Sequence, residues 1–254
     1  MTKYIVTDSE QKAGIRAAEI MAEVIKKRPD ALIGLATGST PLNMYSGLSR
    51  MYSLGEISFD RVKSVNLDEY VGLSPTDSQS YAFFMRENLF GHINIKAENT
   101  YLPSGTAADP TEECERYNAL LDRLGRVDIQ LLGLGHNGHI AFNEPADHFT
   151  KDTTLVELSE STKLANSRFF TSREDVPRQA ISMGIGRILR SKAILLLVTG
   201  ISKADVLEKA LFGDVTPAVP ASILQFYQGE LTVVCDSDAF SLIKRAHPDI
   251  EFTS

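Results

Sequence analysis

Apolar positions along this chain follow two alternating rhythms. Short apolar runs, nearly continuous except over 62–67 where Lys63, Ser64 and Asn66 intervene, occupy residues 4–6, 31–35, 62–67, 129–134, 193–199 and 231–235. Runs of that length and composition predict strands buried on both faces. Between them lie longer stretches with helical spacing, clearest over residues 10–27, where Ile15, Ala18, Ile20, Met21 and Ile25 recur every three to four positions. Residues 41–51, 80–90, 111–124 and 203–211 repeat that amphipathic pattern, the third with a Glu/Arg-rich outer face. Buried strands alternating with helices predict an α/β protein: a central, largely parallel sheet flanked by helices on both faces, Rossmann-like in layout. Repeats, low-complexity tracts and linker-like segments are missing from the pattern, so residues 1–254 read as a single domain.

Set on that scaffold, the unusual polar residues fall at strand ends. Thr37-Gly38-Ser39-Thr40 follows the run ending at Leu35, and Asp68-Glu69-Tyr70 follows the run ending at Leu67. A loop with three glycines, two histidines and a glutamate, residues 133–145, follows the run ending at Leu134. Gly200 to Lys203 follows Thr199. Open α/β sheets bind ligands beyond the carboxyl ends of their strands. Four polar clusters at four such ends therefore predict one composite site.

Composition narrows what that site binds. Net charge is −7, with 43% hydrophobic and 23% charged residues. An acidic globular chain is poorly suited to nucleic acid or an anionic membrane surface, so any anion must be held by a local cluster. No apolar run approaches membrane-spanning length, and the N-terminus shows no secretory apolar region, which predicts a cytoplasmic protein. The two cysteines lack metal-ligand or redox spacing: Cys235 is expected as a small buried strand residue and Cys114 on a helix surface. Nothing in the pattern decides between monomer and homo-oligomer.

Each cluster has a chemistry. Thr37, Gly38, Ser39 and Thr40 precede Pro41; with Thr40 as N-cap and Pro41 opening a helix, the free N–H groups form a cradle for a sugar-sized phosphate. No Gly-Lys-Ser/Thr follows, so a nucleoside triphosphate is not expected. Lys203, at the start of a helix where a cation is unfavourable, and Arg168, flanked by polar and aromatic residues, are candidates to complete an anion site. Asp68 at a strand end is the preferred base for a carbon acid, with Glu69 read as an N-cap or surface acid. His139 and Glu144 suit a carboxylate-supported proton shuttle, with Asn137 orienting the ring. His136, His139 and Glu144 do not meet a metal-binding spacing, and no metal is expected. His92, His148 and His247 are isolated.

These residues resemble the glucosamine-6-phosphate deaminases (isomerases). The likeness is carried by Leu35-Ala-Thr-Gly-Ser-Thr-Pro41, Asn66-Leu-Asp-Glu-Tyr-Val-Gly-Leu73, Gly135-His-Asn-Gly-His-Ile-Ala-Phe-Asn-Glu-Pro145, Ala165-Asn-Ser-Arg-Phe-Phe170 and Gly200-Ile-Ser-Lys203. It implies one α/β domain and conversion of D-glucosamine 6-phosphate and water into D-fructose 6-phosphate and ammonia, without metal or organic cofactor. By motif, His139 opens the pyranose ring with support from Glu144 and Asn137, and Asp68 moves a proton between C2 and C1. Thr37, Gly38, Ser39, Thr40, Arg168 and Lys203 hold the phosphate, and the Ala141–Phe142 backbone lines the sugar site.

The chain departs from that pattern twice. Asn137 stands where many relatives have Asp. Thr154 and Val156 stand where some relatives carry basic residues for an allosteric sugar phosphate, so a short, non-allosteric form is implied. A 6-phosphogluconolactonase shares the fold but lacks the Phe142 to Pro145 continuation. A sugar-phosphate sensor of a transcription regulator carries an N-terminal reader domain, for which a strand starting near Tyr4 leaves no room.

Overall fold

The computed structural model describes residues 2–167, 170, 172 and 174–253. In chain order the elements are β1 (Thr2–Thr7), α1 (Glu10–Lys27), β2 (Leu32–Leu35), α2 (Leu42–Ser53), β3 (Lys63–Asn66), β4 (Asp68–Tyr70), α3 (Tyr81–Asn88), β5 (Thr100–Tyr101) and α4 (Pro110–Leu124). They continue with β6 (Ile129–Leu132), β7 (Thr154–Glu157), α5 (Glu160–Asn166), β8 (Gln179–Ser182), α6 (Ile185–Ile188), β9 (Ala193–Val198), α7 (Ala204–Phe212), β10 (Glu230–Asp236) and α8 (Ser241–Ala246). Seven strands form one sheet in the order β1-β10-β9-β6-β2-β3-β5, every pairing parallel. This is the central parallel sheet that the apolar runs predict. Its middle strands are the most apolar: Ile194 to Val198 of β9 and Ile129 to Leu132 of β6 are buried throughout.

The helices form where local chemistry favours them. Ser9 caps α1, accepting from the Lys12 N–H; Ser80 caps α3 through Phe83, and Asp109 caps α4 through Thr111 and Glu112. α1 buries a stripe of Ala13, Ala17, Ala18, Met21 and Ile25, a small-residue face that lets it pack closely on α2. Ile15, a quarter-turn off that stripe, stays exposed.

The sheet's N-terminal edge is clamped by one carboxylate. Asp128, just before β6, accepts from the Leu32 N–H at the start of β2 at 2.9 Å, from Arg28 at 2.6 Å and from Lys192, beside β9, at 2.7 Å. Three adjacent strands are thereby pinned to a common starting line.

The structure differs from the sequence pattern in several places. β3 stops at Asn66, and Asp68 opens a separate strand, β4, in a second, antiparallel sheet of order β4-β8-β7. Strands of three or four residues, with β7 only half-buried, carry too few apolar positions to register as runs. β6 likewise ends at Leu132, two residues early, because Gly133 interrupts the pairing. Helix α2 begins at Leu42 rather than Pro41: Pro41 occupies the cap position with φ −78° and ψ −5°, and no side chain caps the helix, Thr40 included. Lys203 ends a 3₁₀ turn, Ile201–Lys203, and occupies the cap position of α7 instead of lying within the helix. Cys114 is buried, not on the surface, because it shares the inward face of α4 with Tyr117 and Leu121 at helical spacing. Cys235 is buried in β10 as expected.

Asp128→Ala is expected to cost about 2–3 kcal/mol, since it leaves a buried N–H and two cations without their shared acceptor. Urea unfolding would measure it; a midpoint equal to that of the parent protein would show that the clamp contributes nothing.

Candidate active site

β4 places Asp68 within the second sheet, and β8 joins it to the histidine loop. Asp68 lies opposite Ser182 in the antiparallel β4–β8 ladder. The Ser182 hydroxyl accepts from the Phe142 N–H at 3.0 Å, and the neighbouring Met183 accepts from Asn143 Nδ2 at 2.8 Å while its own N–H donates to Leu67 O at 2.7 Å. One two-residue stretch therefore fixes the Asp68 backbone and the 140–143 turn together.

Two adjacent carboxyl groups meet different fates here. Glu69 is buried, and its carboxylate accepts from the N–H groups of Tyr70 (2.8 Å), Tyr81 (2.9 Å) and Ala82 (2.9 Å), which ties β4 to the first turn of α3. Its N-cap-type role matches one reading of the sequence, although the group is buried and not a surface acid. Asp68 is also buried, and among the described residues no hydrogen bond to its carboxyl is found. Burial, reinforced by the Glu69 charge, pushes Asp68 up to about 8. A carboxyl group held there is a far stronger base, once ionised, than a solvated aspartate.

Rings close the space near Asp68. Tyr70 packs with Tyr81 (centroids 4.8 Å apart), Phe142 (5.5 Å) and Phe170 (5.8 Å). Tyr81, whose hydroxyl faces Thr37 and Tyr70, links this enclosure to the candidate phosphate loop. In that loop Gly38 has φ 94°, a left-handed conformation that glycine adopts without the strain a side chain would bring. The uncapped first turn of α2 follows it, with Thr37 and Thr40 half-buried and Ser39 exposed. Lys203 reaches the histidine loop, its Nζ donating to Leu134 O at 2.8 Å. Its turn is held by Asp236, whose two carboxylate oxygens each accept from the Gly200 N–H at 3.0 Å. Arg168 lies outside the described residues.

The histidine loop is built around its ring. A Cβ on Gly135 would lie 2.3 Å from His139 Nε2, so only glycine admits the imidazole at this position. The Gly135 N–H donates to His139 O at 2.9 Å, closing the loop on itself. Asn137 bridges the two proposed partners: its carbonyl oxygen accepts from the His139 N–H at 3.2 Å, and its Nδ2 donates to Glu144 Oε2 at 2.6 Å. It therefore organises the loop through backbone and carboxylate, not by bonding the His139 ring, which sequence reasoning had expected. An aspartate here would set a second carboxylate against Glu144; the amide donates instead and favours the ionised form.

His139 Nδ1 is 3.7 Å from Glu144 Oε2, ion-pair distance but longer than a hydrogen bond. Glu144 Oε1 accepts from the Thr162 hydroxyl on α5. Burial acts to raise the Glu144 carboxyl, but the His139 imidazole, Thr162 and Asn137 more than offset it and hold it down at about 2. Ala141, at φ 52°, is the one non-glycine with positive φ among the described residues, and Asn143 locks the turn by donating to Ile140 O at 2.9 Å. His136 is exposed. Among the described residues no three His, Cys, Asp or Glu side chains gather as a metal site.

Sequence reasoning missed Ser182, Asn143 and Thr162. Asn143 lies inside the motif run, but Ser182 and Thr162 act across 40 and 18 residues, and no local pattern announces such contacts.

A protein-family model described as Glucosamine-6-phosphate isomerases/6-phosphogluconolactonase matches residues 7–233. The chain is 53% identical over 233 residues to a glucosamine-6-phosphate deaminase of Lachnoclostridium phytofermentans, covering 92% of this chain and 98% of that one. It is 52% identical over 227 residues to a glucosamine-6-phosphate deaminase of Clostridioides difficile, covering 89% and 91%. A solved structure of a monomeric glucosamine-6-phosphate deaminase superposes with a TM-score of 0.92 at 45% identity, covering 94% of this chain and 99% of that one. A 6-phosphogluconolactonase from Trypanosoma brucei superposes at 0.74 with 18% identity, covering 95% and 98%, a likeness of fold alone.

The depressed Glu144 carboxyl has a stability consequence. A group ionising more readily in the folded state stabilises it above the usual value of 4.5, and that contribution is lost as pH falls towards 2. Glu144→Gln is therefore expected to flatten the loss of stability over this window, read from thermal melts at several pH values. Parallel curves for the two proteins would contradict it.

Proposed function

The chain belongs to the family of glucosamine-6-phosphate isomerases and 6-phosphogluconolactonases, and from that premise we propose that it is a glucosamine-6-phosphate deaminase. It converts D-glucosamine 6-phosphate and water into D-fructose 6-phosphate and ammonia, a step of amino sugar catabolism. The observation that carries the choice within the family is the pairing of a buried, weakly acidic Asp68 with a separate His139–Glu144 couple, tied together through β8. Lactone hydrolysis requires no base for a carbon acid. Isomerisation of an amino sugar does.

Chemistry proceeds in two stages. His139 takes the proton from the O1 hydroxyl and delivers it to O5, breaking the C1–O5 bond to give the open-chain aldehyde; the Glu144 carboxylate stabilises the imidazolium between the two transfers. Asp68, ionised, removes the proton from C2; the electrons move into the C1 carbonyl, and its oxygen takes a proton from the neighbouring C2 ammonium group to give an enolamine. The same carboxyl returns its proton to C1, converting the enolamine to an iminium at C2. Water adds to that iminium and the nitrogen leaves, giving the ketone and ammonia as ammonium. A carboxyl poised near neutral pH suits both removing and returning a proton.

Thr37, Gly38, Ser39, Thr40, Lys203 and Arg168 hold the 6-phosphate in this reading. The uncapped start of α2, the Gly38 turn and the placement of Lys203 against Leu134 support it. The Ala141–Phe142 backbone faces the sugar. Among the described residues no helix is long and apolar enough to cross a membrane. A phosphorylated sugar does not cross bilayers unaided, and we place the enzyme in the cytoplasm with its substrate.

Asp68→Asn is expected to lower kcat for ammonia release by about a thousandfold while fructose 6-phosphate still binds; near-normal turnover would refute the base assignment. Thr154 and Val156 lie in β7 and bring no charge to a second phosphate. Saturation by glucosamine 6-phosphate is therefore expected to be hyperbolic and unaffected by N-acetylglucosamine 6-phosphate; sigmoidal curves straightened by that compound would contradict this.

A further inference from the structure

We propose that Thr162, on α5, is a positioning residue for ring opening: its hydroxyl fixes one oxygen of the Glu144 carboxylate so that the other is presented to His139. The proposal rests on the deaminase reading, in which Glu144 and His139 carry the first proton transfers.

The two oxygens of Glu144 have separate partners. Oε1 accepts from the Thr162 hydroxyl, whereas Oε2 accepts from Asn137 and lies 3.7 Å from His139 Nδ1. Two donors on opposite oxygens define both the plane of a carboxylate and its rotation about the final side-chain bond. With one donor removed, the group can turn, and the 3.7 Å approach to the imidazole is no longer specified.

Thr162 is itself held for this task. It is only 5% exposed. Ser159, the N-cap of α5, accepts from the Thr162 N–H at 3.2 Å, and its hydroxyl donates to Thr162 Oγ1 at 3.1 Å. A hydroxyl has a single proton to give. With Ser159 donating to its oxygen, Thr162 commits that proton to Glu144, and such a donor chain polarises each link in turn.

Four residues on, Asn166 Nδ2 donates to the Tyr70 hydroxyl at 2.8 Å, so α5 touches the aromatic enclosure beside Asp68 as well. The charged residues flanking Thr162 on this helix, Glu160 and Lys163, pair with each other at 3.0 Å. Facing Glu144 from its own loop are His139 and Asn137, and among the described side chains of α5 the Thr162 hydroxyl is the group that joins them. Seating of α5 and ionisation of Glu144 thereby become one equilibrium.

The test compares Thr162→Val and Thr162→Ser with the parent enzyme, using kcat and KM for ammonia release from glucosamine 6-phosphate across pH, alongside thermal melts. Thr162→Val is expected to remain folded, to lose about tenfold in kcat with KM changed less than twofold, and to leave the acid limb of the profile, which the ionisation of Asp68 sets, in place. Thr162→Ser, which keeps the hydroxyl, is expected to restore kcat. An unchanged kcat in Thr162→Val, a fall carried by KM instead, or a loss that serine fails to restore, would overturn the proposal. If the parent protein releases no ammonia, the deaminase reading fails instead. The positioning role is then read from the Glu144 carboxyl directly, by carbon-detected NMR titration: an upward shift in Thr162→Val supports it and an unmoved titration refutes it.

Discussion

The site depends on the register of one short antiparallel ladder. Asp68 stands opposite Ser182, and Ser182 holds the Phe142 N–H, so the proposed carbon-acid base and the imidazole loop are referenced to the same residue. Strand side chains alternate between faces, and a slip of one position would carry Asp68 to the opposite face of its short sheet. It would also carry the Ser182 hydroxyl away from Phe142. The large parallel sheet supplies a platform, but β4 and β8 determine how the two reactive halves are aligned on it. A three-residue strand holds this register because Leu67 O and Met183 N–H extend the ladder by one further bond.

That alignment lets neighbouring carboxylates do different work. Glu69 is used up by three backbone N–H groups and serves as mortar between β4 and α3. Asp68, one residue earlier, is buried beside that charge and rises to about 8. Glu144 sits among donors and falls to about 2. Asp68 and Glu144 thus depart from the usual carboxylate range in opposite directions, the first through burial and the second because the His139 imidazole and two donors outweigh burial.

Much of this was legible in residue order. The apolar runs at 193–199 and 129–134 marked the middle of the sheet because strands covered on both faces have little freedom in composition. Glycine beside histidine and glutamate marked the histidine loop as the candidate site because close backbone approach and titratable groups are hard to combine by accident. The second sheet was not legible: Asp68–Tyr70 is too polar and Gln179–Ser182 too short to stand out against turns. Thr162 and Ser182 escaped notice for a related reason. Their roles lie in partners reached across the fold, and an isolated serine or threonine reads the same wherever its hydroxyl points. Asn137 shows the intermediate case, a position flagged by sequence whose actual contacts, Glu144 and the His139 N–H, only geometry could supply.

Ala141 bears on how freely this loop can drift in sequence. Its left-handed backbone costs about 1–2 kcal/mol for a residue with a Cβ, a strain that glycine would relieve. Glycine would in turn loosen the unfolded chain, forfeiting about 0.4–1 kcal/mol. The strain is the larger contribution, and the Asn143 and Ser182 bonds hold the turn in either case. Folding stability alone therefore leans towards glycine at position 141. In the proposed enzyme, substrate fit is the pressure left to favour the methyl group there.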